Sequence, residues 1–190
     1  MKRLVVLVGL PGSGKTAFQR RHPEWAAVSK DAIRRGIFHS NYAPEHEEVV
    51  DRVFASTLVE VVDSTAEVVC VDDLNLTCTT RRELIELAQL AGRETIAYVM
   101  PSEPIDELFA RTQCRLERLS ASAPDLRVTD LSRARFEELV RSYDPVDARE
   151  GFARVERGTP LRDGEAPTPS PERAGRRRRE KREPLPLFVP

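Results

Sequence analysis

Apolar positions along the chain fall into two alternating periods, and that alternation predicts the fold. Lys2 to Val8 is a nearly unbroken β-branched and leucine run, the pattern of a central parallel strand buried on both faces. It runs into a glycine-rich loop, and a helix is expected from Lys15 to Arg21. Ala27–Ser29 reads as a short second strand. From Glu45 to Val62 the apolar residues Val50, Phe54, Leu58, Val61 and Val62 recur at helical spacing. Glu67 to Val71 is another buried strand, closed by Asp72 and Asp73. Thr80-Arg81-Arg82-Glu83 has the form of a capping box, opening a helix that Gly92 stops. Thr95 to Val99 follows as a strand, Pro104 to about Leu119 as a helix, Asp130 to Tyr143 as the last long helix and Phe152 to Val155 as the final strand. Strands that alternate with helices in this way imply an α/β fold, a parallel sheet with helices on both faces. Ligands of such sheets bind at the carboxyl ends of the strands, where Gly9, Asp31 and Asp73 all fall.

The tail breaks the pattern. Half of the 14 prolines come after Gly158, and Arg176 to Arg179 are four consecutive arginines. Residues 1–158 are therefore expected to form one domain and 159–190 a Pro/Arg-rich disordered tail. Composition refines this picture in one respect. The formal net charge of −1 hides a tail with 8 Lys/Arg against 5 Asp/Glu, while the domain carries 22 against 26. A domain of that balance has no broad basic face, so any contact with nucleic acid is local. No apolar run is long enough to span a membrane. The three cysteines lack metal-site spacing, which fits reduced residues in a cytoplasmic protein.

The glycine-rich loop carries the clearest chemistry. Gly9-Leu10-Pro11-Gly12-Ser13-Gly14-Lys15-Thr16 has the P-loop pattern, between a strand and a helix as that motif requires. Its amides at Gly9, Gly12, Ser13 and Gly14 would turn toward the phosphates of a nucleoside triphosphate, ATP. Lys15 would reach the β- and γ-phosphates, and the Thr16 hydroxyl would hold Mg²⁺. Ser29-Lys30-Asp31-Ala32-Ile33-Arg34 puts a carboxylate and a guanidinium at one helix start. Asp31 is then either a base for an attacking hydroxyl or a helix cap, and Arg34 either an acceptor-phosphate ligand or a surface charge. Asp72-Asp73 is either metal-orienting or turn-forming. Arg111, Arg115 and Arg118 share one helix row beside Ile105, Leu108, Phe109, Leu116 and Leu119, which suits a phosphate-clamping lid or a solvated basic face.

Taken together, the P-loop, Ser29-Lys-Asp-x-x-Arg34, Asp73-Leu-Asn-Leu-Thr with Arg81-Arg82, and the arginine helix resemble the 5′-hydroxyl polynucleotide kinases in order and spacing, over roughly residues 1–158. The resemblance implies a P-loop kinase-like three-layer fold and ATP with Mg²⁺. It also implies an acceptor that is the 5′-OH end of RNA or DNA, as in nucleic acid repair. It makes Lys15, Asp31 and Arg115 catalytic, with Asp31 the general base and Arg115 the lid arginine. Arg34 would take the phosphate 3′ of the acceptor nucleoside, and Asp73 would support the metal or acceptor site. The family usually has Arg where Lys30 stands, and the double acid at 72–73 leaves that assignment one residue open. No Asp-x-Asp phosphatase motif is present. Kinases of nucleosides, sugars or antibiotics, zeta-toxin-like kinases and ATP-binding adaptor modules share the P-loop and the strand-end acid.

Overall fold

The computed structural model describes residues 1–158; the expected tail lies outside the described residues. Five strands, β1 (Arg3–Val8), β2 (Ala26–Val28), β3 (Val68–Val71), β4 (Glu94–Val99) and β5 (Arg154–Arg157), form one parallel sheet in the order β2-β3-β1-β4-β5. Six helices connect them: α1 (Lys15–Arg20), α2 (Lys30–Phe38), α3 (Glu47–Asp63), α4 (Cys78–Leu90), α5 (Ile105–Ser122) and α6 (Arg133–Arg141).

Strand alternation sorts β1 between two apolar layers. Leu4, Val6 and Val8 pack with Leu58 and Val62 of α3 and with Leu84, Ile85 and Ala88 of α4. Val5 and Leu7 pack with Phe18 of α1, Cys70 and Met100, and the Tyr98 ring stacks on Phe18 at 3.8 Å. Both faces of β1 are thus covered, as its continuous apolar run predicts. The chain leaves β1 for β2 on one side, and after β3 it crosses to β4 on the other. The carboxyl end of β1 is therefore the switch point at which such sheets bind ligands.

Three expected boundaries move. α4 begins at Cys78, not at Thr80, because Thr77 is the cap: its hydroxyl accepts the Thr80 amide at 3.2 Å, so Thr80 is already inside the helix. The last helix is shorter than Asp130–Tyr143. Tertiary bonds from the Thr129 amide to Asn41 and from Gln113 to the Leu131 carbonyl keep residues 129–131 out of it, and Ser132 caps α6. The final strand starts two residues late, at Arg154.

The loop after β3 is held from below. Arg81, fully buried, donates to the carbonyls of Asn75 and Leu76 and forms a two-bond fork with Glu150 at 2.7 Å. Removing one partner of such a pair strands the other charge, at a cost of about 3–5 kcal/mol. Asn75 adopts a left-handed φ of 49°, which Asn tolerates better than most residues, and its side-chain amide donates to Leu7 O at 2.7 Å. Strand end and P-loop are thereby tied together.

Candidate active site

The P-loop emerges from β1 and is moulded by neighbours as well as by its own glycines. Gly12 has φ 80°, and a Cβ there would lie 2.3 Å from the Leu108 carbonyl of α5, so only glycine lets the loop and that helix meet. Gly14, at φ 93°, caps α1, whose first-turn amides at Lys15, Thr16 and Ala17 have no carbonyl of their own helix to bond. The amides of Gly9 and Ser13 are already committed, to Leu74 O at 3.1 Å and Leu10 O at 3.2 Å. Those two of the expected phosphate-facing residues therefore shape the loop through their own N–H groups.

Lys15 is 8% exposed, and its ammonium donates to the carbonyls of Gly9 (2.7 Å) and Leu10 (2.8 Å) and lies 3.5 Å from Ser13 Oγ. Burial pushes its pKa down to about 8, against the pull of Asp72, Asp73 and Asp31. The uncompensated burial leaves a cation that a bound polyanion would stabilise.

The double acid divides its work. Asp72 has the Thr16 hydroxyl and the Lys15 ammonium as neighbours; burial raises its pKa, and those two neighbours oppose the rise. Its amide donates to Val28 O, linking the ends of β3 and β2. Asp73 turns the other way, with one oxygen capping the Leu74 amide and the other 3.6 Å from Lys30 Nζ. Thr16 and Asp72 form an oxygen pair of the kind that holds Mg²⁺ together with phosphates, so the donor set fits that ion. Among the described residues no group of three or more His, Cys, Asp or Glu could hold a metal, so such an ion would depend on the nucleotide for further ligands.

Asp31 is not the cap of α2; Ser29 is. The Asp31 carboxylate instead lies between two arginines, accepting from Arg34 Nη1 at 2.8 Å and from Arg115 Nη2 at 3.0 Å. Arg34 is oriented by a second carboxylate that sequence reasoning missed: Glu47, at the start of α3, takes Nε at 2.8 Å and Nη2 at 2.7 Å. Burial alone would lower the Arg34 pKa, but Glu47, Asp31 and Asp73 hold it above its ordinary value. Lys30 repeats the arrangement one turn earlier, with Asp51 at 2.7 Å. Its pKa too is held up against burial by Asp51 and Asp73. Lys30 and Arg34 on α2 thus face Asp51 and Glu47 on α3 as a two-rung ladder. The signal was present as opposite-sign i, i+4 pairs on successive helices.

The arginine row of α5 is not one functional unit. Arg115 reaches Asp31, Arg111 is taken by Glu103 and Glu107, and Arg118 is exposed. The adjacent stripe is not a buried one either: Leu108 and Thr112 are the helix's buried residues, while Ile105 is 40% exposed. α5 meets the P-loop at Gly12, packs Phe109 edge-on against Phe136 of α6 at 5.3 Å and bonds the Leu131 carbonyl through Gln113, while its outer face with Arg115 and Arg118 is exposed.

No curated protein matches this sequence. Among solved structures, Kti12 of Chaetomium thermophilum in complex with ADP-AlF3 is similar at 20% identity, over 81% of this chain and 87% of that one, with a TM-score of 0.57. The PezAT toxin–antitoxin system of Streptococcus pneumoniae matches at 15% identity, over 83% and 68%, with a TM-score of 0.60. A fungal RNA kinase matches at 15%, over 87% and 78%, with a TM-score of 0.52. These likenesses establish the P-loop kinase-like fold. Residues 4–139, most of the chain, match the AAA domain family, and the protein is a nucleotide-binding P-loop domain belonging to that family.

Proposed function

We propose that this domain transfers the terminal phosphoryl group of ATP to the 5′-hydroxyl end of a polynucleotide. The observation that carries the reading is Asp31, a carboxylate held at the edge of the P-loop between an acceptor-side arginine, Arg34, and a lid-side arginine, Arg115. The first-turn amides and Lys15 bind the triphosphate. Thr16 and Asp72 would hold Mg²⁺, which when bound neutralises phosphate charge. Asp31 accepts the proton of the attacking hydroxyl as the new O–P bond forms and the bond to the bridging oxygen of ADP breaks. The Arg115–Asp31 pair is half exposed and contributes about 0–1 kcal/mol, so phosphates readily compete for that arginine, freeing the carboxylate. Arg34 has five N–H donors, of which three are used; one on each terminal nitrogen remains for a phosphate next to the acceptor nucleoside. Lys30 and Asp73 complete the acceptor wall.

The two open donors of Arg34 support a polynucleotide acceptor over a free sugar or antibiotic. Arg34→Ala should lower the specificity constant by about ten- to hundredfold for a nucleoside 3′-phosphate or an oligonucleotide, the worth of a charged hydrogen bond. It should change little for an acceptor without that phosphate. Equal loss on both kinds of acceptor would remove the polynucleotide reading and leave a kinase of unspecified hydroxyl.

A further inference from the structure

Beside the acceptor wall stands an aromatic ring for which the packing gives no use. Tyr42 is 38% exposed, although its neighbours Ala43 and Ser40 are buried to 1% and 2%. Its backbone is firmly held. Asn41 exchanges both side-chain amide bonds with Thr129, at 2.9 and 2.7 Å, and donates its own N–H to Arg127 O. The Thr129 hydroxyl donates to the Tyr42 carbonyl at 2.9 Å. A segment anchored on both sides of Tyr42 leaves the residue partly exposed, with part of its apolar surface still open to a ligand. The Arg34 guanidinium lies over the ring, 5.8 Å from its centroid.

We propose that Tyr42 is a stacking platform for a nucleobase within the first two nucleotides of the acceptor strand. The inference rests on the polynucleotide reading above and extends it. Asp31 bonds Arg34 at Nη1 and the guanidinium carbon lies over the Tyr42 ring, so a strand whose 5′-oxygen lies at Asp31 and whose first phosphate lies at Arg34 brings a base within reach of the part of the ring left exposed. Stacking on an aromatic face accepts any base, so the platform confers preference for nucleic acid over other phosphorylated hydroxyls without reading sequence. An arginine already held over a tyrosine ring presents phosphate and base contacts as one preassembled unit.

The test is a cycle of protein and substrate deletions. Steady-state constants are measured for the parent, Tyr42→Ala, Tyr42→Leu and Tyr42→Phe on 5′-OH trinucleotides that are intact, abasic at the first position, or abasic at the second, with melting temperature as the folding control. Tyr42→Ala and Tyr42→Leu should raise KM on the intact substrate about tenfold, with kcat within about twofold, and Tyr42→Phe should match the parent. One of the two abasic substrates should raise the parent's KM by a similar factor, and on that substrate the Ala and Leu variants should add nothing. An equal loss on all three substrates, or no loss on any, overturns the platform while leaving the kinase reading in place. Absence of transfer from the parent to every trinucleotide removes the polynucleotide reading, and this inference with it.

Discussion

The two halves of the crevice hold their cations in opposite ways. On the donor side, Lys15 is buried against backbone carbonyls and its pKa is pulled down to about 8; its carboxylate neighbours do not offset the burial. On the acceptor side, Lys30 and Arg34 are bonded directly to Asp51 and Glu47, and their pKa values are held above the ordinary ones despite burial. The P-loop cation therefore carries a desolvation cost, whereas the two cations of α2 are paired and aimed in advance. One half should therefore gain most of its electrostatic stabilisation on binding, and the other should act through orientation.

The largest effect should come from Lys15→Ala. Turnover should fall by about a thousandfold, the upper scale for losing one preorganised charge-stabilising donor, while the protein melts no lower than the parent. Near-parental turnover would break the donor half of the comparison. Asp31→Asn comes next, with kcat lowered about a hundredfold and nucleotide affinity retained, as calorimetric titration and initial rates would show. A loss confined to KM would make Asp31 an orienting residue instead of a base.

Glu47→Gln sharpens the acceptor half. The amide can accept only one of the two Arg34 N–H bonds, so the fork loses its charge and one bond, and KM for phosphate-bearing acceptors should rise several-fold, up to about tenfold, with kcat little changed. KM for ATP should be unaffected, and a change there would show that the ladder serves the whole fold.

The smallest effect is one of stability. Lys15 has an ordinary pKa of 10.5 when unfolded and about 8 when folded. Between those values the unfolded chain binds more protons, so the stability of the nucleotide-free protein should rise with pH across that window; below pH 8 the burial cost is fully present. Lys15→Met should abolish that contribution. The melting temperature of the variant should exceed the parent's at pH 7, with the gap narrowing toward pH 10.

How much of this was legible in the sequence follows the same division. The donor site is eight contiguous residues between a strand and a helix, so its chemistry is written locally, and the alternating periods gave the strands to within a residue or two. What escaped was spread along the chain. Glu47 reaches Arg34 from 13 residues away, and Arg115 reaches Asp31 from 84. The single-residue ambiguity at Asp72-Asp73 could not be resolved by spacing. Successive side chains at a strand end point to opposite sides, and only the neighbouring Thr16 and Lys30 reveal which is which. Likewise the arginine row of α5 has a regular helical spacing, yet its members differ because Glu103 and Glu107 claim one and Asp31 another. Helix caps failed where tertiary hydrogen bonds, such as those of Asn41 and Gln113, overrode the local signal.

The most direct measurement of the central claim is transfer from ATP labelled at its terminal phosphate, with Mg²⁺, to a panel of 5′-OH oligonucleotides, the same strands already phosphorylated at the 5′ end, free nucleosides and gluconate. The account predicts label on the 5′-OH strands, none on the 5′-phosphorylated ones, weak transfer at best to the nucleosides and gluconate, and a fall in transfer to about a hundredth of the parental rate in Asp31→Asn. Label that appears on gluconate or a free nucleoside in preference to every oligonucleotide, or parental rates in Asp31→Asn, would contradict it.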